Sequence, residues 1–185
     1  MKTARAGLSY CGILLFLMSA VAYADPPAVA EQESTSEAAS VPIADLSEIR
    51  DRAEKMPIDA RRDIDKRVGI TIERVNKEAA AKGQTTVAAR LAAEFGMTAE
   101  TLLDEKGKNG LSFGDLVVAH TLLANSKAVV TLADLVDLRS DGLGWGAIAF
   151  GLQFHMEDLE DAIKTEGRVA MGLAKADGKP AVIGK

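Results

Sequence analysis

The sequence predicts an all-α fold of tandem helical hairpins, preceded by one long helix. Two observations support this prediction. Apolar residues recur at spacings of three and four along most of the chain, which is the helical period. In addition, one helix-start motif occurs twice, as NGLSFG at residues 109–114 and as DGLGWG at residues 141–146, 32 residues later. A period of this length is typical of helix-hairpin arrays.

Residues 1–24 have the pattern of a secretory signal peptide. The segment starts with Lys2 and Arg5, continues with a short apolar run and ends on Ala-Tyr-Ala, a small-residue cleavage pattern. We therefore expect cleavage after Ala24 and a periplasmic or secreted mature protein. No later apolar run reaches the roughly 18 residues of a membrane span, so we expect no membrane insertion after cleavage.

Signal cleavage changes both the charge and the possible metal chemistry of the chain. The single cysteine, Cys11, leaves with the signal, so the mature protein can form no disulfide and no thiolate metal site. Cleavage also removes two of the 22 basic residues. The mature chain would then contain 20 basic and 27 acidic residues, which gives a net charge of −7. Such a chain is repelled by phosphates and anionic lipids, so we expect no nucleic-acid partner.

Composition divides the chain into four segments. The stretch after the signal is rich in Pro, Ala, Ser and Glu and has no aromatic residue, so it cannot bury enough apolar surface to become ordered. The C-terminal stretch is built of small residues and mild positive charge. We predict a signal peptide at 1–24, a disordered leader at 25–44, a helical repeat domain at 45–165 and a flexible tail at 166–185.

The helical domain is expected to open with a short helix at residues 45–55 and a long helix at 59–82. Asp59 is the expected N-cap of the long helix, and Gly83 is expected to end it. The long helix is expected to lie across the domain. A coiled-coil or partner-binding helix is the alternative. Its apolar residues form one stripe, namely Ile64, Val68, Ile72, Val75 and Ala79.

Six shorter helical patterns follow in three pairs, each of which predicts a helical hairpin. The pairs lie at residues 87–95 with 98–106, at 112–124 with 131–139, and at 144–154 with 157–165.

The repeated residues are mostly those that start and end helices. Asn-Gly and Asp-Gly are turn dipeptides, and Ser112 with Asp115 and Thr131 with Asp134 have capping-box spacing. The repeated glycines lie in first turns, where the missing side chain lets another helix approach closely. Further repeat pairs are Gly114 with Gly146, Phe113 with Trp145 and Lys106 with Arg139.

The repeated helix start, G-L-x-[Phe/Trp]-G-x-[Leu/Ile], precedes a hairpin that ends on the sequence LVDLR at residues 135–139. This combination resembles small exported bacterial proteins that carry tandem helical-hairpin repeats. The similarity covers about residues 85–165. It implies a helical-repeat fold, and because the motif carries no established activity it assigns no catalytic or binding residue.

Few side chains in the sequence point to chemistry. Its two histidines, His120 and His155, are not repeat-equivalent. His120 is expected to be a half-buried packing residue, and His155 falls at a turn between helices. The loop at 104–115 lacks the terminal Glu of a calcium-binding EF-hand, and no phosphate-binding glycine loop occurs. The sequence therefore predicts no catalytic residue, no metal ligand and no cofactor.

A helix-turn-helix motif for nucleic acid is suggested by the small and apolar spacing of residues 91–97 followed by Leu102. The segment that would enter the groove carries Glu100, Asp104 and Glu105 against two lysines. Because such a surface does not attract phosphates, nucleic-acid binding is only the third hypothesis for this chain.

The first functional hypothesis is an exported, non-enzymatic binding or structural protein of the periplasm or cell envelope. Its partner would be another protein or a second copy of the chain. A metal-dependent or acid/base enzyme that uses His120 or His155 with carboxylates is the alternative. Phe113, Trp145 and Phe150 form the candidate interaction surface, although the same aromatic residues could instead furnish the core.

Overall fold

A computed structural model describes residues 45–184, which form eight α-helices and no β-strand. This confirms the predicted all-α class. The predicted signal peptide and leader lie outside the described residues. No helix within residues 45–184 has the length and apolar character to cross a membrane. The helices are α1 (Leu46–Glu54), α2 (Ile58–Lys82), α3 (Gln84–Phe95), α4 (Ala99–Asn109), α5 (Phe113–Asn125), α6 (Leu132–Ser140), α7 (Trp145–Gly151) and α8 (Met156–Ala170).

The long helix α2 is the element onto which much of the domain packs. It contacts α3, α5, α7 and α8, as expected for a helix laid across the domain. Its buried residues form one stripe, as predicted, but Thr71 takes the place of Ile72 in it. Thr71 is buried against α8, whereas Ile72 is only half-buried at the contact with α5. The buried residues of α2 are Ile64, Val68, Thr71, Val75 and Ala79.

Several helix ends differ from the predictions. The residue before α2 is Pro57, which forms no side-chain cap, so Asp59 is not the N-cap. Gly83 has a φ of 91°, and because it both ends α2 and precedes α3, the next helix starts at Gln84 rather than at residue 87. Helix α7 ends at Gly151, three residues before its predicted end.

The two predicted capping boxes are confirmed. The Ser112 hydroxyl accepts the backbone N–H of Asp115, and the Asp115 carboxylate accepts the backbone N–H of Ser112 in return. Thr131 and Asp134 exchange the same two bonds at the start of α6. Each box satisfies amide groups that the first turn of a helix leaves without partners.

The repeated glycines mark where α5 and α7 approach α2 most closely. A Cβ atom on Gly114 would lie 2.5 Å from the Cα atom of Ile72. A Cβ atom on Gly146 would collide with the side chain of Ile64. The expectation that these glycines allow a close helix approach is therefore confirmed at both positions.

Polar side chains of α2 accept backbone N–H groups at the same two helix starts. Asn76 Oδ1 accepts the Gly114 N–H at 2.9 Å, and Asp65 Oδ1 accepts the Gly146 N–H at 2.9 Å. Since first-turn amides have no partner inside their own helix, α2 supplies the missing acceptors. Equivalent positions of the sequence repeat are thus held by equivalent contacts.

The C-terminal residues do not form the detached tail that the sequence predicts from residue 166. Helix α8 continues to Ala170, and residues 171–184, here called the C-terminal strap, pack back onto the helices. Ile183 is buried. The Asn125 amide donates to the Ala181 carbonyl at 2.9 Å and accepts the Ile183 N–H at 2.8 Å. Side chains of the domain therefore satisfy backbone groups that would otherwise favour solvent.

Candidate functional site

Two of the three residues predicted to form an interaction surface belong to the core. Phe113 is 2% exposed and Trp145 is 3% exposed, whereas Phe150 is 36% exposed. The prediction is therefore wrong for Phe113 and Trp145. Both rings lie in the first position of a helix that packs onto α2, and both belong to the core cluster.

Trp145 has a structural role that links the start of α7 to the start of α5. Its Nε1–H donates to Asp115 Oδ1 at 2.8 Å, while the other oxygen of Asp115 caps α5. The guanidinium of Arg139 lies 5.1 Å from the Trp145 ring centroid. The repeat-equivalent pair, Lys106 over Phe113, has a separation of 5.5 Å. The repeated cations and aromatic rings thus form two cation–π contacts.

Phe150 opens onto a groove between the end of α1 and the α7–α8 turn. The groove has a volume of about 820 Å³, within the range of ligand-binding clefts. We call it the Phe150 groove. Its lining residues are Arg52, Lys55, Phe150, Gln153, Phe154, His155, Met156 and Glu157.

The groove exists because α1 and α7 pack closely and the chain then turns sharply. The position that a Cβ atom would take on Gly151 is occupied by Ile49, and Arg52 Nε donates to the Gly151 carbonyl at 2.7 Å. Gln153 has a φ of 66°, a left-handed conformation that costs a non-glycine residue about 1–2 kcal/mol. This turn separates Phe150 from Phe154, and both rings line the groove.

Positive charge predominates along the groove. Lys55 is exposed, and Arg52 pairs with Glu48 of its own helix at 3.2 Å. His155 precedes α8 as an exposed residue that makes no side-chain cap. Glu157 is the one acidic residue in the lining. Rings and cations together suit a ligand that is apolar and carries negative charge.

A second cavity, of about 580 Å³, lies where α5 begins beside the end of α2. Its lining includes residues 110–113 of the first repeat copy. Lys106 is the one charged residue of this lining, and it is engaged with the Phe113 ring. The repeat motif therefore borders a cavity without bringing reactive groups together there.

The two histidines occupy different environments. His120 is 7% exposed, its Nε2 lies 2.7 Å from Glu105 Oε2, and its ring stacks on Phe95 with centroids 5.0 Å apart. His155 is exposed and lines the Phe150 groove. Within residues 45–184, no three His, Cys, Asp or Glu side chains are grouped so that they could hold a metal ion.

Helices α3 and α4 pack as a pair, which is the geometry that suggested helix-turn-helix binding. The lysines of α4 contact their own domain. Lys106 lies over Phe113, and Lys108 is 3.5 Å from Asp104. Their charge is therefore directed inward or neutralised locally.

A buried carboxyl group, Glu166, was not anticipated from the sequence. Burial, together with the nearby carboxylates of Glu94 and Asp177, raises the pKa of Glu166 to about 7, although a backbone hydrogen bond from Ala181 acts in the opposite direction. Glu166 lies three residues after Ile163 on the buried side of α8. The signal in the sequence that could have revealed Glu166 is an acidic residue within the apolar stripe of this helix.

No protein-family model matches the chain, and neither a curated protein nor a solved structure is significantly similar to it. Of the features above, the Phe150 groove is the one that combines exposure, apolar rings and charge.

Proposed function

We propose that this protein is an exported, non-enzymatic binding protein of the periplasm or cell envelope, with the Phe150 groove as its binding surface. The observation that carries the proposal is the exposed ring of Phe150 in an open groove beside Arg52 and Lys55. An apolar surface rimmed by polar groups is typical of a protein-binding site. Aromatic and arginine side chains are enriched at such sites.

The partner is a protein segment that presents carboxylates next to apolar side chains. Arg52 and Lys55 supply positive charge on one wall, and Phe150, Phe154 and Met156 supply the apolar surface. The mature chain carries a net charge of −7 by sequence, so this basic wall is opposite in sign to the molecule as a whole. Local charge of this kind orients a partner and selects against wrong ones.

The helical arrangement belongs to the same proposal. We propose that α5 and α7 begin two copies of one repeated unit, each docked on α2 through its first-turn glycine. The support is the paired contacts of Gly114 with Asn76 and of Gly146 with Asp65. A repeated scaffold of this type would hold the α1–α7 wall of the groove in a fixed position.

The acid/base enzyme alternative has one supporting contact, between His120 and Glu105. Neither residue lines the Phe150 groove or the cavity at the start of α5, whereas His155, the other histidine of this alternative, lines the groove together with Glu157. A binding function is therefore better supported than catalysis by this pair.

Export is expected to yield a mature chain that begins at Asp25. N-terminal sequencing of the protein from a periplasmic extract would measure this start directly. A chain that keeps residues 1–24 and fractionates with the cytoplasm would contradict the export part of the proposal and leave the groove to be tested separately.

Binding at the groove is tested with two synthetic peptides of equal length, one of leucine and glutamate and one of leucine and lysine. We expect the acidic peptide alone to bind, because its carboxylates reach Lys55, which is exposed. Phe150→Asp and Lys55→Glu should each weaken binding by about tenfold or more, which corresponds to about 1.4 kcal/mol. Fluorescence anisotropy measures the dissociation constants.

The matched control is Ile70→Asp, which changes an exposed apolar residue on α2 that does not line the groove. It should leave peptide affinity unchanged. Photocrosslinking from position 150 in cells then identifies the partner in its own compartment. Equal affinity for both peptides, or equal loss in all three variants, would overturn the proposal, and a crosslink between two copies would replace it with self-association.

A further inference from the structure

Three side chains from three helices hold the backbone of the C-terminal strap. Glu94 of α3 accepts the Asp177 N–H at 2.9 Å, and Glu166 of α8 accepts the Ala181 N–H. Asn125 of α5 bonds to the backbone on both sides of Val182. The strap is therefore attached through a few defined acceptors, two of which are carboxyl groups.

Glu166 is the unusual member of this set. It is fully buried, and its Oε2 atom has no hydrogen-bond partner within residues 45–184. An ionised carboxylate in such a position is costly because it loses water without gaining a compensating partner. A protonated carboxyl group avoids that cost and can still accept the Ala181 N–H.

The charged groups that face Glu166 are acidic. Glu94 faces it from α3 and Asp177 from the strap itself. The other packed helices contribute neutral groups, namely Asn125 of α5 and Thr71 of α2, which lies beside Gly167. The cation on α3, Arg90, is engaged with Glu78 and the Ala170 carbonyl, and the strap lysines, Lys175 and Lys179, are exposed.

We propose that the C-terminal strap is a pH-sensitive latch, closed while Glu166 is protonated and loosened as Glu166 ionises between acidic and neutral pH. Closure seats Ile183 in the core and places Ala181 against it. Loosening would uncover the part of the core that these two residues cover, beside Asn125 of α5 and Glu166 of α8. The proposal is independent of the Phe150 groove.

The direction of the pH effect follows from proton linkage. The pKa of Glu166 is raised from its ordinary value of 4.5 to about 7 when the strap is closed. An open strap gives Glu166 access to water and returns its pKa toward the ordinary value. Between these two values the closed state binds more protons than the open state, so closure is favoured at low pH and weakens as the pH rises.

Amide hydrogen exchange of the full mature chain tests the latch. After correction for the intrinsic pH dependence of exchange, protection of the Ala181 and Ile183 amides should fall at least about tenfold between about pH 5 and about pH 8. Protection of the Ile163 amide, in the interior of α8, should stay constant over the same range. In Glu166→Gln, which keeps an acceptor for the Ala181 N–H, strap protection should not depend on pH.

Asp161→Asn is the matched control, since it removes an exposed carboxylate from the same helix, and it should behave as the wild type does. If Glu166→Gln fails to fold, Glu94→Gln provides the test. It removes one of the charges that face Glu166, and this should reduce the pH-dependent loss of protection of the strap amides. Constant strap protection in the wild type would overturn the latch. An equal fall in wild type and Glu166→Gln would overturn it as well.

Discussion

Replacing Trp145 by alanine is expected to lower the free energy of unfolding by about 3–5 kcal/mol, the usual cost of truncating a large buried aromatic residue. Trp145 is 3% exposed and belongs to the core cluster. Truncation leaves a cavity and removes the donor that Asp115 accepts at 2.8 Å. It also removes the ring beneath Arg139. The lost hydrogen bond joins the start of α7 to the start of α5.

The measurement is urea denaturation followed by circular dichroism, because Trp145 is the only tryptophan and the variant has no tryptophan fluorescence. Phe150→Ala is the matched control. It truncates a neighbouring ring that is 36% exposed, and we expect a loss of about 1 kcal/mol, the centre of the usual range for single substitutions. A loss below about 1 kcal/mol for Trp145→Ala would contradict its place in the core.

Replacing Gly114 by alanine is the second change with a large expected effect. The added Cβ atom would lie 2.5 Å from Ile72 Cα and 2.6 Å from the Ile72 carbonyl oxygen. Both are backbone atoms of α2, so the clash cannot be relieved by a side-chain rotation. Helix α5 must move away, which also strains the hydrogen bond from the Gly114 N–H to Asn76. We expect a loss of about 3 kcal/mol, the upper end of the usual cost of overpacking.

Gly69→Ala provides the opposite control on the helix that Gly114 contacts. Gly69 lies within α2, and a Cβ atom there would meet nothing within 4 Å. Because alanine is a better helix former than glycine by about 1 kcal/mol, this variant should be more stable than the wild type. Chemical denaturation of the two variants measures the contrast. Similar effects from both substitutions would mean that close packing at Gly114 is not the deciding factor.

Local features of the fold were predictable because they depend on neighbours in sequence. Ser112 and Asp115 are three residues apart, and that spacing alone places each side chain next to the other's backbone amide. The long helix was predicted to within one residue at each end, since its apolar period continues without interruption to Gly83. A close approach by another helix was predicted at Gly114, because this first-turn residue has no side chain. The sequence alone could not identify α2 as that helix.

The candidate site was less predictable. Phe113, Trp145 and Phe150 are all aromatic residues near helix starts or ends, and nothing in their spacing separates the two buried rings from the exposed one. Their burial depends on residues elsewhere in the chain, as the contacts of Trp145 with Asp115 and Arg139 and of Phe113 with Lys106 show. The charged wall of the Phe150 groove comes from α1, nearly 100 residues away in sequence from Phe150, so no local pattern connects them.

By itself, the sequence determined the helical class, most helix boundaries and the two capping boxes, because these follow from periodicity and from contacts within a few residues. Tertiary structure alone decided that Trp145 is a core residue and that Phe150 lines an open groove. It also decided that the C-terminal strap packs back onto the helices, where Glu166 meets Ala181. The physical reason is that burial and charge environment depend on residues distant in sequence, and a carboxyl group on an apolar stripe acquires its properties from the elements that enclose it.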